Sequence, residues 1–179
     1  RNFLVSVKVK NAGLFPDANF LLVKNTLIGL QQLCSKHRER FSIPVIGITG
    51  SNGKTIVKEW LYELLQEDHH IVRSPKSYNS QLGVPLSVWG IKKDHNKAIF
   101  EAVISLQSEM EKLRKISQPT IGIFTSIGDA HSQGFNGIDH KVLEKLNLFD
   151  GVEKLIYCND YTAINNGVKQ KLAQERFFD

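Results

Sequence analysis

One stretch constrains this chain more than any other: Val45-Ile46-Gly47-Ile48-Thr49-Gly50-Ser51-Asn52-Gly53-Lys54-Thr55. It reads as an apolar strand, a glycine-rich turn and a Lys-Thr pair opening an amphipathic helix. Gly50 and Gly53 give access to backbone conformations closed to other residues, so successive N–H groups can turn inward beside the positive end of the helix. The natural occupant of such a cradle is a phosphate chain. Gly50, Ser51, Asn52, Gly53, Lys54 and Thr55 are therefore the candidate binding residues, with Lys54 placed for the β/γ-phosphates and the Thr55 hydroxyl for Mg²⁺. The usual pattern has four residues between the first glycine and Gly-Lys, whereas Gly47 has five, so this is a variant. A plain strand-to-helix turn accounts for the glycines but not for Lys-Thr at the helix start.

The rest of the chain sets the loop in a repeating β-then-α pattern. Strands are expected at Phe20 to Val23, Val45 to Thr49, Ile99 to Ser105, Thr120 to Thr125 and Lys154 to Tyr157, several of them apolar throughout, as in a parallel sheet buried on both faces. Helices are expected at Thr26 to Arg40, Lys54 to Gln66, Ile138 to Phe149 and Tyr161 to Gln174. Within Lys54 to Gln66 the apolar set Val57, Trp60, Leu61, Leu64 and Leu65 is the expected core face, and Trp60 needs no functional role. The order predicts an α/β fold, a P-loop three-layer sandwich with a mostly parallel sheet. At 179 residues, 41% hydrophobic and 23% charged, there is material for one full core.

Net charge is +5, but Lys and Arg are spread along the chain, so a nucleotide or phosphorylated substrate fits at least as well as a nucleic acid. Cys34 and Cys158 form no CxxC pair, which argues against a disulfide framework or zinc site and for a reducing cytoplasm. No run approaches the roughly 18 apolar residues of a membrane span. The chain opens at Arg1 and enters the strand-like Asn2 to Val7 at once, which suggests a piece of a longer polypeptide. Residues 1–43 are then expected to be the end of a preceding substrate domain plus a connecting helix, and residues 44–179 the nucleotide-binding domain, with a C-terminal domain absent.

The segment Gly47 to Thr55 closely resembles the phosphate loop of the Mur ligases and their folylpolyglutamate synthase relatives, in which the variant spacing is expected. Further segments agree in order. Ser77-Tyr78-Asn79-Ser80-Gln81-Leu82-Gly83-Val84-Pro85-Leu86 is similar to the Asn-rich segment of the family's D-alanyl-D-alanine-adding branch. Glu101 through Glu109-Met110 resembles a strand-end glutamate followed eight residues later by a Gly-Glu-Ile/Met segment, with Ser108 in place of the glycine. Thr125 to Phe135 resembles Thr-Asn-Ile-Gly-x-Ala-His-x-x-Gly-Phe. The Ser74 to Val88 stretch looks most like forms fused to an alanine racemase.

The resemblance implies an ATP-dependent amide-bond ligase of peptidoglycan precursor synthesis, monomeric and cytoplasmic. ATP would phosphorylate the terminal carboxyl of a UDP-N-acetylmuramoyl tripeptide, and the amine of D-Ala-D-Ala would then displace phosphate. By the same resemblance Lys54, His131 and Lys145 are the catalytic candidates, and Thr55, Glu101, His131 and Lys145 the metal candidates. Lys145, fourteen residues after His131, matches the lysine that the family carbamylates with CO₂.

Read from the residues alone, Glu101 is first a solvated loop carboxylate and His131 a structural or surface histidine, since Mg²⁺ prefers oxygen; only the family pattern makes them metal ligands. Lys145 is equally a lysine lying along an apolar face, with Lys141 competing for the alignment. Asn79 and Gln81, in a loop before a helix, suit either a phosphate or activated carboxyl, or turn and cap duties. Asp129 and His140 stand out from surface polar groups in nothing. Two other functions remain open: a folylpolyglutamate synthase-like ligase, and a nucleotide-dependent switch with no ligation. Taken alone, the 179 residues are expected to fold and bind ATP weakly without forming amide bonds.

Overall fold

The computed structural model describes residues 1–128 and 135–175 of the chain. Two short strands, β1 (Asn2–Val5) and β2 (Asn19–Leu22), pair in parallel as a separate two-stranded sheet. Helix α1 (Thr26–Arg38) follows, its start capped by the Asn25 side chain, which accepts from Ile28 N–H at 3.0 Å. Its last turn carries Lys36, His37 and Arg38, the charge sign that a helix C-terminus favours. The Arg38 guanidinium is buried and donates to the carbonyls of Phe41, Ile43, Ser117 and Gln118. That one side chain ties the connection out of α1 to the turn before a central strand.

Strand β3 (Val45–Thr49) leads into α2 (Lys54–Leu65), then β4 (Ile71–Arg73), α3 (Gly83–Trp89), β5 (Lys97–Glu101), α4 (Glu109–Ser117), β6 (Ile121–Phe124), α5 (Ile138–Leu146), β7 (Lys154–Tyr157) and α6 (Thr162–Glu175). The five strands from β3 onward form one sheet in the order β4-β5-β3-β6-β7, parallel throughout. This is the expected α/β sandwich.

Strand pleating divides the core in two. On one face Ile46, Ile48 and Ile99 pack with Ile121 and Ile123 under Val57, Leu61, Tyr62 and Leu65 of α2. On the other, Val45, Ala98, Phe100 and Phe124 meet Cys34 of α1 and apolar residues of α3, α4, α5 and α6. The second face is crowded: a Cβ on Gly122 would lie 2.4 Å from the Phe149 ring.

Three expectations are corrected. Trp60 and Leu64 are 68% and 76% exposed, because the apolar residues of α2 span a wider arc than its sheet contact covers and the inner rows are 57-61-65 and 58-62. The strand expected over Ile99 to Ser105 ends at Glu101, and β4 and α4 are additional elements. β4 is three residues long and α4 is dominated by charge, so neither carries a strong periodic signal. The fourth helical turn expected at the end of α5 is instead a 3₁₀ turn over Asn147–Phe149.

Candidate functional site

The loop after β3 lies at the C-terminal edge of the sheet between β5 and β6. Gly50 (φ +147°) and Gly53 (φ +82°) both occupy positive-φ conformations, as the sequence required. The segment after β6 braces the loop from one side. Ser51 N–H donates to Ser126 carbonyl at 2.8 Å, Asn52 N–H to the Ser126 hydroxyl at 3.0 Å, and the Thr125 hydroxyl to Asn52 carbonyl at 2.6 Å. The Ser51 hydroxyl meets Gly128 through both its N–H and its carbonyl, at 3.0 and 3.2 Å. The first amides of α2 have no partner within the helix, and the loop that leads into them is fixed by these contacts.

Lys54 folds back over the loop, donating to the carbonyls of Gly50 and Ser51 at 3.0 and 3.1 Å. Burial lowers its pKa first; Glu101 opposes this and Lys141 adds to it. Lys145, on α5, is 2% exposed and donates to the same Gly50 carbonyl at 3.3 Å. Its pKa is lowered to about 7, chiefly by burial and then by the charges of Lys54 and Lys141. Lys141, also buried, donates to Gly128 carbonyl at 2.6 Å. Lys54 and Lys145 thus converge on the Gly50 carbonyl, with Lys141 close by at Gly128, and an anion bound beside them would favour their charged forms.

Opposite them stands Glu101, the last residue of β5 and fully buried. Its Oε2 receives the Thr55 hydroxyl at 3.1 Å and the Asn79 amide at 3.4 Å. Its Oε1 faces the Lys58 ammonium at 2.8 Å yet accepts no well-directed hydrogen bond. A carboxylate with spare lone pairs beside a hydroxyl at the mouth of a phosphate cradle is a donor set suited to Mg²⁺, which takes few protein oxygens and completes its shell from phosphate and water. Among the described residues no group of three or more His, Cys, Asp or Glu side chains converges.

The structure brings together Gly50, Ser51, Asn52, Gly53, Lys54, Thr55, Asn79, Glu101 and Lys145. His131 and Asp129 lie outside the described residues. Gln81 is turned elsewhere: it accepts from Gln31 and donates to Glu109 carbonyl, linking α1 to the start of α4. Glu109 closes its own loop by accepting from Ser105 and Leu106 N–H at 2.8 and 2.9 Å. Ser108 has φ +61°, a position that favours the glycine it replaces.

Sequence reasoning passed over Lys58, which is 0% exposed and joined to Glu101. The available signal was a lysine inside the apolar stripe of α2, next to Val57 and ahead of Leu61. It also passed over Ser74, whose hydroxyl accepts from Glu101 N–H at 3.2 Å.

Comparison with known proteins agrees with this geometry. The Mur ligase middle domain matches residues 48–177. The UDP-N-acetylmuramoyl-tripeptide–D-alanyl-D-alanine ligase of Synechocystis sp. is 37% identical over 110 residues, 62% of this chain and 24% of that protein. The enzyme of the same name from Bacillus subtilis is 30% identical over 149 residues, 82% of this chain and 33% of that one. The crystal structure of MurF ligase from Thermotoga maritima in complex with ADP superimposes with a TM-score of 0.81 at 25% identity, covering 93% of this chain and 39% of that one. MurF from Acinetobacter baumannii gives 0.79 at 26% identity, with 93% and 37% covered. The chain thus spans about a quarter to a third of the curated relatives named here.

Proposed function

Since the chain belongs to the Mur ligase family through its middle domain, we propose that it is the ATP-handling part of a cytoplasmic ligase that joins D-Ala-D-Ala to a UDP-N-acetylmuramoyl tripeptide. Two relatives carry that activity in their names, and a third with the same fold is known as an ADP complex. The observation that carries the reading is the meeting of Thr55 and Glu101, 3.1 Å apart, beside the loop held by Gly50 and Gly53. Within it, residues 1–43 end a preceding substrate domain with a connecting helix, and residues 44–179 are the central domain. Alone, these 179 residues bind nucleotide without sustained ligation.

Phosphoryl transfer is catalysed mainly by position and by positive charge over the moving group. The amides that open α2 hold the phosphate chain, while Ser51 and Asn52 N–H brace the loop against Ser126. Lys54 leaves the Gly50 and Ser51 carbonyls and turns to the β/γ-phosphates, exchanging two neutral acceptors for anionic ones. Thr55 and Glu101 would hold Mg²⁺, with His131 as a further ligand on the family pattern; the cation supplies charge neutralisation on the phosphates. Asn79 keeps the Glu101 carboxylate oriented through its Oε2 contact.

Lys145 has a second part to play. With its pKa near 7 a large share of its amine is neutral at physiological pH. The Nζ lone pair of that neutral amine can attack CO₂, forming an N–C bond as one C=O π bond opens onto oxygen and an N–H proton passes to solvent, which would turn the amine into a carbamate anion able to hold metal. Intact-protein mass measured under CO₂, with Lys145→Ala as control, should register one added CO₂ on the parent alone.

Calorimetry on the intact protein should detect ADP uptake in the presence of Mg²⁺, weakened about tenfold or more by Lys54→Ala. Absence of uptake, or uptake indifferent to that change, would overturn the assignment. Phosphate release should be sustained only when a UDP-N-acetylmuramoyl tripeptide and D-Ala-D-Ala are both present. Dependence on a folate and glutamate would move the chain to the folylpolyglutamate branch, and release without any acceptor would make it a switch.

A further inference from the structure

We propose that Lys58 is a positioning residue that sets the Glu101 carboxylate and the Asn79 amide for the divalent cation accompanying the nucleotide; the proposal rests on the nucleotide-binding reading above. Lys58 and Glu101 are both 0% exposed, so the Lys58 ammonium lies sealed from solvent and stands behind the carboxylate instead of in the loop. Four oxygens from three chain segments surround it. Glu101 Oε1 is at 2.8 Å, the Ser74 carbonyl at 2.9 Å, the Lys76 carbonyl at 2.5 Å and Glu59 Oε1 at 3.1 Å.

These contacts act on both groups at once. By drawing Oε1 toward the interior, Lys58 leaves Oε2 directed at Thr55 and Asn79. By holding the Ser74 and Lys76 carbonyls it fixes the run into Asn79, through a left-handed residue at Lys76 (φ +49°). That run is pinned again where Val103 N–H donates to Asn79 carbonyl at 2.8 Å, and Glu101 N–H to the Ser74 hydroxyl at 3.2 Å. The charge behind it is also shared out. Glu59, which takes part of the Lys58 charge, is paired through its other oxygen with Arg73 at 2.6 Å, and the Arg73 guanidinium lies 3.5 Å over the Tyr62 ring.

Stability alone does not account for such a pair. A buried ion pair loses much of its attraction to desolvation, and a well-packed apolar pair of similar volume serves as well or better. What an apolar pair cannot do is leave a carboxylate at the end of β5 with one oxygen anchored and the other presented to the loop. Outer-shell partners of metal ligands act in this way, and their loss typically weakens metal binding by about 10–100-fold.

The test measures ADP affinity of the intact protein with excess Mg²⁺ and again with a chelator. Lys58→Met should weaken Mg·ADP binding by about 10–100-fold while leaving metal-free ADP binding within about threefold of the parent. In a Glu101→Gln background the same change should cost less than about threefold, since its target is already gone. Should Lys58→Met alone fail to fold, the Lys58→Met/Glu101→Gln protein, which has no orphan charge, is compared with Glu101→Gln by itself. Equal losses with and without Mg²⁺, or a full Lys58→Met effect in the Glu101→Gln background, would overturn the positioning role. Absence of ADP binding by the parent would instead remove the nucleotide-binding reading itself.

Discussion

Gly50→Ala tests whether the loop geometry is as tightly determined as the structure has it. Gly50 sits at φ +147°, where an L side chain introduces strain of about 1–3 kcal/mol. The new Cβ would also lie 2.1 Å from Thr125 Oγ1 and 3.0 Å from both Ser126 N and Ser126 O. Thr125 can clear the first contact only by rotating its hydroxyl, whose single proton lies between Asn52 carbonyl at 2.6 Å and Thr49 carbonyl at 3.3 Å, at a loss of about 0.5–1.5 kcal/mol for that one shared bond. Ser126 cannot retreat, because its carbonyl holds Ser51 N–H.

The expected destabilisation is therefore about 1.5–4.5 kcal/mol. Urea titrations should register it as a lower midpoint at unchanged slope. In a Thr125→Ala background the hydroxyl and its bond are absent, so Gly50→Ala should cost less, the backbone strain of about 1–3 kcal/mol together with the Ser126 contacts that remain. A Gly50→Ala protein within about 0.5 kcal/mol of its parent, or one that loses as much with Thr125→Ala as without, would refute the reasoning.

Lys145 has a folded pKa of about 7 against 10.5 for the free side chain. Between those values the unfolded chain binds the extra proton, so this residue makes stability rise with pH across the window and subtracts most below pH 7. Lys145→Met should flatten that slope by up to about 1.4 kcal/mol per pH unit, and identical slopes in the two proteins would contradict the assignment. Cys158 is exposed, whereas Cys34 is buried and its thiol is pushed up to about 11; a thiol reagent should label one site quickly and the second only on unfolding, so two fast equivalents would be a failure. Arg38→Met strips the donor from four backbone carbonyls and should lower stability by about 2–4 kcal/mol, a claim that an unshifted urea midpoint would defeat.

The parts of the molecule that could be read from sequence are those where one local rule governs. Val45–Thr49 is an unbroken apolar run, and Gly50 and Gly53 announce positive φ beside Lys-Thr, so the strand, the loop and the start of α2 were all legible. Glu101 was legible only through family spacing, since a lone glutamate after an apolar run has no local signature. Lys58 was not, because its burial depends on three partners 16 to 43 residues away in sequence. Trp60 misled for the complementary reason: periodicity says that α2 has an apolar face but not how much of that arc the sheet covers. Asn79 and Gln81 stand two residues apart in one loop, yet only the first reaches Glu101, and which of them does so depends on where α1 and α4 pack.

Strand order explains why these long-range contacts converge where they do. From β3 the chain runs through α2 to the edge strand β4, returns to β5 on one side of β3, and then crosses to β6 on the other. The loops leaving β3 and β5 therefore diverge, the first into α2 over the Ile46–Ile48–Ile99 face and the second toward α4, whose Met110, Leu113 and Ile116 pack on the opposite face. Such a divergence opens a crevice at the carboxyl ends of adjacent parallel strands, the place where open α/β sheets take their ligands. Thr55 and Glu101 are the residues that the crevice brings together, and the Thr125–Gly128 segment after β6 braces the loop from the far side. A phosphate loop on β3 acquires a carboxylate from β5 and bracing from β6 because of that topology. The buried Lys58 then fixes which carboxylate oxygen looks into the crevice.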